Sequence, residues 1–231
     1  MLNIDINKLE IKSQDKTLLD ISFNISDSTA LIGQSGSGKS LTLKALLNLL
    51  PNTLTCEKKI NSNFDLDFNS IGFIPQNPFT SLSPMTKIHK QFFCSYEKKE
   101  EVLKLVDLDI SILDKFPNQL SGGQIQRVII AIALSKDIKF LLLDEPTTAL
   151  DIENKTNIIK LINDLIQRFN ILVLFVTHDI DSIKDICKNI VIIKDGIIIE
   201  QGNTKEVLNN PYQTYTKTLI NSTFKNKDFR K

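Results

Sequence analysis

Gly33-Gln34-Ser35-Gly36-Ser37-Gly38-Lys39-Ser40 stands between an apolar run, Thr29-Ala30-Leu31-Ile32, and a stretch from Leu41 to Leu50 with leucines at 43, 46, 47 and 50. The order strand, G-x-x-x-x-G-K-S, helix is that of a phosphate-binding loop. Three glycines let the backbone wrap close to a polyphosphate, so that successive N–H groups form a nest for anions. The helix that follows aims its positive end at the same phosphates. Lys39 can reach the terminal phosphates, and the Ser40 hydroxyl can ligate Mg²⁺. Gly33, Gln34, Ser35, Gly36, Ser37, Gly38, Lys39, Ser40 and Leu41 are therefore the candidate nucleotide-binding residues. The competing reading is a Gly/Ser-rich turn that matches the pattern by chance.

The composition admits this chemistry and narrows its setting. At 231 residues, 42% hydrophobic and 24% charged, the chain suits one large domain, or one domain with a small insertion. Lys and Arg number 28 against 27 Asp and Glu, a net charge of +1, so nothing draws it in bulk to nucleic acid or acidic lipid. Cys56, Cys94 and Cys187 form no C-x-x-C pair and are odd in number, which favours free thiols in a reducing cytosol. The apolar run Val128 to Leu134 is bounded by Arg127 and Ser135, far short of the ~18 residues that span a bilayer. The N-terminus lacks a basic region followed by an apolar stretch. A cytoplasmic protein that meets a membrane through a partner is expected.

Further along, Leu2 to Ile11, Leu18 to Ile25 and Thr29 to Ile32 read as strands parted by turn formers. The helix from Lys39 is expected to end before Pro51. Residues 52–69 read as mostly irregular, and Ile71 to Ile74 as a short strand leading to Gln76. Helical patterns follow in Lys87 to Tyr96, in Glu97 to Val106, where Glu100 and Lys104 form an i,i+4 pair, and in the apolar stretch from Leu120 to Ser135. Phe140 to Leu143 and Ile171 to Val176 read as buried parallel strands. Between them, Ile158, Ile159, Ile162, Leu165, Ile166 and Phe169 share one helical stripe. Ile190 to Glu200 reads as a hairpin turning on Asp195-Gly196, and Lys225 to Lys231 as a frayed basic tail. The expected fold is α/β, a mostly parallel sheet covered on both faces. Residues 1–76 and 136–222 would form the core, 77–135 a helical insertion, and 223–231 the tail.

Asp144-Glu145 directly follows the run Leu141-Leu142-Leu143. An acid at the carboxyl end of a parallel strand emerges beside the phosphate loop in such folds. Asp144 can then hold Mg²⁺, and Glu145 can polarise an attacking water. Two adjacent acids there can also be a solvated turn; their coupling to a phosphate loop 105 positions upstream (144 minus 39) favours chemistry.

Leu120-Ser121-Gly122-Gly123-Gln124, running on into Ile125-Gln126-Arg127 and preceding Leu141 to Thr147, resembles the signature motif of the ATP-binding cassette (ABC) ATPases. The resemblance covers essentially the whole chain. It implies a phosphate-loop core with an N-terminal antiparallel β-subdomain and an inserted helical subdomain, with ATP and Mg²⁺ as ligands. It also implies that Ser121, Gly122, Gly123 and Gln124 close on ATP held by another subunit, so that two cassettes sandwich two nucleotides. Gln76 resembles the glutamine coupling the γ-phosphate and metal to the helical insertion. Thr148-Ala149-Leu150-Asp151 resembles the loop that crosses the dimer, although Asp151 also reads as an N-cap. His178, in Thr177-His178-Asp179, resembles the switch histidine at the γ-phosphate, whereas His89 reads as uninvolved. On this resemblance Glu145, His178, Lys39 and Gln76 are catalytic, and Ser40, Gln76 and Asp144 serve Mg²⁺. The family's aromatic residue for stacking adenine has no counterpart in Ile11-Lys12-Ser13-Gln14.

The segments Gln76 to Pro84 and Asn210 to Lys217 are similar to those of importers of peptides, opines and nickel. The compact length from Gln76 to Ser121 and the absence of a C-terminal cysteine cluster lean towards nickel over peptide. Expected partners are a second ABC ATPase subunit, identical or not, two transmembrane permease subunits and, indirectly, an extracytoplasmic substrate-binding protein. The expected location is the cytoplasmic face of the plasma membrane. Rival readings are a DNA-repair or chromosome-maintenance ATPase and a regulatory subunit without hydrolysis. The 81 residues between Lys39 and Ser121 leave no room for the long coiled coil of the first, and Glu145, His178 and Ser121 argue against the second.

Overall fold

The computed structural model describes residues 2–148 and 150–228. In chain order its elements are β1 (Ile4–Ser13), β2 (Lys16–Ile25), β3 (Ser28–Ile32), α1 (Lys39–Leu46), β4 (Thr55–Ser62), β5 (Ile71–Ile74), α2 (Tyr96–Leu105), α3 (Gly122–Leu134), β6 (Phe140–Asp144), α4 (Ile152–Phe169), β7 (Leu172–Thr177), β8 (Asn189–Lys194), β9 (Ile197–Asn203), α5 (Thr204–Asn209) and α6 (Thr214–Asp228), with short 3₁₀ turns between. They form two compact units, Met1–Asp65 with Leu172–Lys231, and Leu66–Ile171.

The first unit carries an antiparallel sheet in the order β2-β1-β4. Along β2 burial alternates, with Leu19, Ile21, Phe23 and Ile25 inward and Asp20, Ser22 and Asn24 outward, the period of a half-covered strand. In β1 the alternation is broken. Ile6 and Leu9 are both buried because the register with β2 shifts between them, a bulge that turns Leu9 back to the core. The second sheet of this unit sets β3 between β7 and β8, both parallel to it, with β9 antiparallel to β8. Covered on both faces, β3 is buried at all five positions, which is why Thr29 to Ile32 reads as a continuous apolar run. Asp195 (φ 49) and Gly196 (φ 81) make the expected two-residue turn between β8 and β9.

The second unit pairs β5 with β6 in parallel and carries α2, α3 and α4. Ser95 caps α2 through Lys98 N–H, and the predicted Glu100–Lys104 pair closes at 2.9 Å.

Four expectations need correction. Residues 55–62, read as irregular, form β4; its side chains are almost all exposed, so no apolar alternation marks it. The helix expected over 87–96 shrinks to a 3₁₀ turn at Ile88–Gln91, and Phe92 then turns extended. Helix α1 stops four residues early. Asn48 takes a left-handed conformation, its N–H bonds Ala45 C=O, and Leu49 N–H bonds Lys44 C=O, a Schellman closure that ends the helix before Pro51 matters. Lastly, α6 extends to Asp228, so the chain from Lys225 to Asp228 is helix where a frayed tail is expected; residues 229–231 lie outside the described residues.

Candidate functional site

In the first unit, the parallel register pairs Ile32 with Thr177 and with Ile192. The residues that follow these strands, Gly33 and His178, therefore leave from the same carboxyl edge, where ligand sites of such sheets form. After Gly33 the chain turns back, with Ser37 N–H on Gln34 C=O at 3.2 Å, and enters α1. Gly38, the last residue before the helix, has φ 111, which only glycine adopts without strain. Gly33 is required by space. A Cβ there would lie 2.3 Å from Ile193 O and 2.5 Å from Ser37 Oγ.

Lys39 is buried, and its Nζ donates to Gly33 O at 2.7 Å and Gln34 O at 3.0 Å. A buried ammonium needs such acceptors, and these two hold it against the loop. Gln34, Ser35, Gly36 and Ser40 are exposed, Leu41 half-buried. The first turn of α1 carries no acidic side chain, so nothing cancels its positive end. Ser37 Oγ is buried without a hydrogen-bond partner among the described residues. These features fit the triphosphate of a nucleotide. His178 is exposed at the end of β7, and the backbone after it is fixed by Asp179. That carboxylate accepts Asp181 N–H at 3.1 Å and Ser182 Oγ–H at 2.6 Å.

The register of the second unit, Ile74 opposite Leu143, brings Gln76 and the acids Asp144-Glu145 to one end of the β5–β6 pair. Gln76 Nε2 donates to Glu145 Oε2 at 3.2 Å, and Thr148 Oγ1 donates to the same oxygen at 3.0 Å. Glu145 itself has φ 44. That turn folds the chain back so that Thr148 N–H meets Glu145 C=O at 3.1 Å. Asp144 ends β6, half-buried. The oxygen donors assigned to Mg²⁺, those of Ser40, Gln76 and Asp144, are the hard ligands that this ion takes.

Ser121 and Gln124 form a capping box on α3. Ser121 Oγ accepts Gln124 N–H at 3.3 Å, and Gln124 Oε1 accepts Ser121 N–H at 3.0 Å. Gly122 faces the exposed ring of Phe79, and at Gly123 a Cβ would lie 2.8 Å from Asn154 Oδ1. Asp151 is the N-cap of α4, accepting Asn154 N–H at 2.9 Å and Asn154 Nδ2–H at 2.7 Å; these two bonds hold its carboxyl below the usual range. Asn154 thus bonds Asp151 and lies so close to Gly123 that a side chain there would meet it. Ala149 of the 148–151 loop lies outside the described residues. His89 engages through its backbone carbonyl, which accepts Lys99 Nζ at 2.8 Å.

Two participants escaped the sequence reading. Thr148 reads in sequence only as part of a loop, and Asn154 carries no motif. Nothing marks Thr148 as a partner of Glu145, since the turn that joins them rests on a non-glycine residue. Asn154 was accessible in principle, three residues past a candidate cap and so at the N3 position.

A family profile described as "ABC transporter" matches residues 18–148. The nickel import system ATP-binding protein NikD of Staphylococcus aureus (strain bovine RF122 / ET3-1) is 35% identical over 242 aligned residues, covering 94% of each chain. The oligopeptide transport ATP-binding protein AppD of Bacillus subtilis (strain 168) is 33% identical over 232, covering 87% of this chain and 71% of that one. Among solved structures, cbiO1 from Clostridium perfringens, described as part of the ABC transporter complex cbiONQ, superposes with TM-score 0.75 at 27% identity, over 90% of each chain. The ATP-binding cassette MJ0796, solved as a dimer bound to ADP and Pi, gives 0.69 at 28% identity, over 88% of this chain and 99% of that one.

Proposed function

The chain belongs to the ABC transporter family, and we propose that it hydrolyses ATP to drive import of nickel or a related metal chelate. The observation that carries this is the likeness to a nickel-import ATPase along 94% of both chains, joined to a phosphate loop whose lysine is held in place. The likeness to an oligopeptide ATPase, 33% identical but spanning 71% of that protein, supports peptide import as the second reading.

The roles assigned to side chains follow from their chemistry. Lys39 and backbone N–H groups within residues 33–41 other than those of Gln34 and Ser37 take the phosphates. Glu145, its carboxylate steered by Gln76 and Thr148, accepts the proton of the attacking water. His178 donates to the oxygens on which charge accumulates. Ser40, Gln76 and Asp144 are the residues that would hold Mg²⁺, which when bound offsets charge on the β- and γ-phosphates. Ser121, Gly122, Gly123 and Gln124 serve the nucleotide of a second cassette, and Asp151 belongs to the loop between the two. Residues 77–135 act as the helical subdomain that passes motion to two permease subunits, themselves fed by a substrate-binding protein. The chain attaches peripherally at the cytoplasmic face through those permease subunits; among the described residues no helix is long and apolar enough to cross a membrane.

The test is ATPase stimulation. Assembled with its permease, the complex should accelerate with nickel-loaded binding protein and respond less to a peptide-loaded one. The reverse preference overturns nickel as cargo. Hydrolysis that persists in Lys39→Ala would overturn the assignment of the loop.

A further inference from the structure

We propose that Tyr215, on the first turn of α6, is a positioning residue for the phosphate loop and sets its affinity for ATP. The inference rests on the reading of residues 33–41 as the nucleotide cradle. Gln34 N–H donates to Tyr215 Oη at 3.2 Å. That N–H and the Gly33 C=O belong to one planar peptide, and the Gly33 oxygen accepts Lys39 Nζ at 2.7 Å. A hydroxyl that holds one end of the plane therefore also aims the acceptor that holds the lysine.

Tyr215 is itself braced. Lys194 Nζ lies 5.2 Å from its ring centroid, within the range of a cation–π contact. Just before α6 the carboxylate of Glu200, on β9, accepts Tyr212 N–H at 2.8 Å and Gln213 N–H at 3.1 Å. The same β8–β9 hairpin grips the loop at a second peptide. Gly196 N–H donates to Ser37 C=O at 3.0 Å, and Gly196 C=O accepts Asp20 N–H at 2.8 Å. At φ 81 and with a Cβ position 2.2 Å from Leu18 O, residue 196 admits little but glycine. The loop is thus seated on a hairpin and a helix that reach it from far along the chain. The Tyr215 hydroxyl bonds the loop directly and can be removed while ring and backbone stay in place.

The experiment is Tyr215→Phe in the full chain, with ATP binding by equilibrium dialysis and steady-state ATPase of the assembled transporter. Loss of one neutral hydrogen bond should weaken ATP binding about two- to tenfold and raise KM by the same factor. The value of kcat at saturating ATP should stay within about twofold, because the variant removes no group that touches the reacting atoms and bound ATP itself holds Lys39 in place. Unchanged ATP affinity overturns the inference. So does a loss of affinity that vanishes once corrected for the folded fraction, or a fall in kcat with KM unmoved. Lys39→Ala is run alongside. If it binds ATP like the parent, the reading of the loop as the cradle fails; if it loses binding while Tyr215→Phe does not, only the role of Tyr215 falls.

Discussion

Glu145 is held at φ 44, a backbone region that costs a non-glycine residue about 1–3 kcal/mol unless its surroundings enforce it. Here they do so from two sides, through the amide of Gln76 and the hydroxyl of Thr148 on one carboxylate oxygen. The arrangement suits a general base, because the carboxylate is held in one orientation by two donors. Glu145→Gln keeps the shape and removes the base, so turnover should fall about 10²- to 10⁴-fold while ATP binding holds. A variant that hydrolyses at the parental rate would remove Glu145 from the mechanism. Thr148→Val deletes only the steering hydroxyl. It should lower kcat about two- to tenfold with KM unmoved, and Thr148→Ser should restore the parental value. Full kcat in the valine variant would show that Thr148 steers nothing. The glutamate was legible in the sequence, because an acid ending an apolar run is a strand-end acid. Its steering group was not, because the left-handed turn that brings Thr148 back carries no glycine to announce it.

Elements were legible where burial imposed a period and obscure where it did not. β3, β6 and β7 are covered on both faces, and their apolar runs could be read directly. β4 carries Glu57, Lys58 and Lys59 in sequence and faces solvent. What fixes it is the cross-strand ladder to β1, reinforced by Lys8 Nζ on Glu57 Oε2 at 2.6 Å, a relation between distant segments that no window of β4 contains. Helix α6 is likewise fixed from a distance, by Glu200. Burial alone would push that carboxyl up. Hydrogen bonds that include the N–H groups of Tyr212 and Gln213 outweigh it and hold the carboxyl below its ordinary value. A group depressed on folding contributes stability that is present in full above its unfolded pKa, about 4.3 for Glu, and lost as pH falls through the lower folded value. The parental chain should therefore lose unfolding temperature more steeply below about pH 4 than Glu200→Gln does. Parallel slopes in thermal melts from neutral to acid pH would mean that this carboxylate contributes nothing to seating α6.

At the scale of the molecule, the proposed function makes this chain half of an engine, and Ser121 is where the halves would divide. Within the chain its Oγ caps α3, and this alone would justify a serine at that position. In the proposed assembly the same residue faces the triphosphate carried by a second cassette. Ser121→Ala would blur the two roles, since losing the cap costs about 0.5–2 kcal/mol by itself. Ser121→Asp separates them. Aspartate caps a helix as well as serine, so the unfolding temperature should stay at the parental value. Its charge, set against another chain's phosphates, adds repulsion that a desolvated interface cannot screen. Placed in the Glu145→Gln background, where ATP should hold two copies together, Ser121→Asp should abolish ATP-dependent dimerisation in sedimentation. A dimer that survives the added charge would mean that residues 121–124 face no phosphate, leaving Ser121 as a helix cap and nothing more.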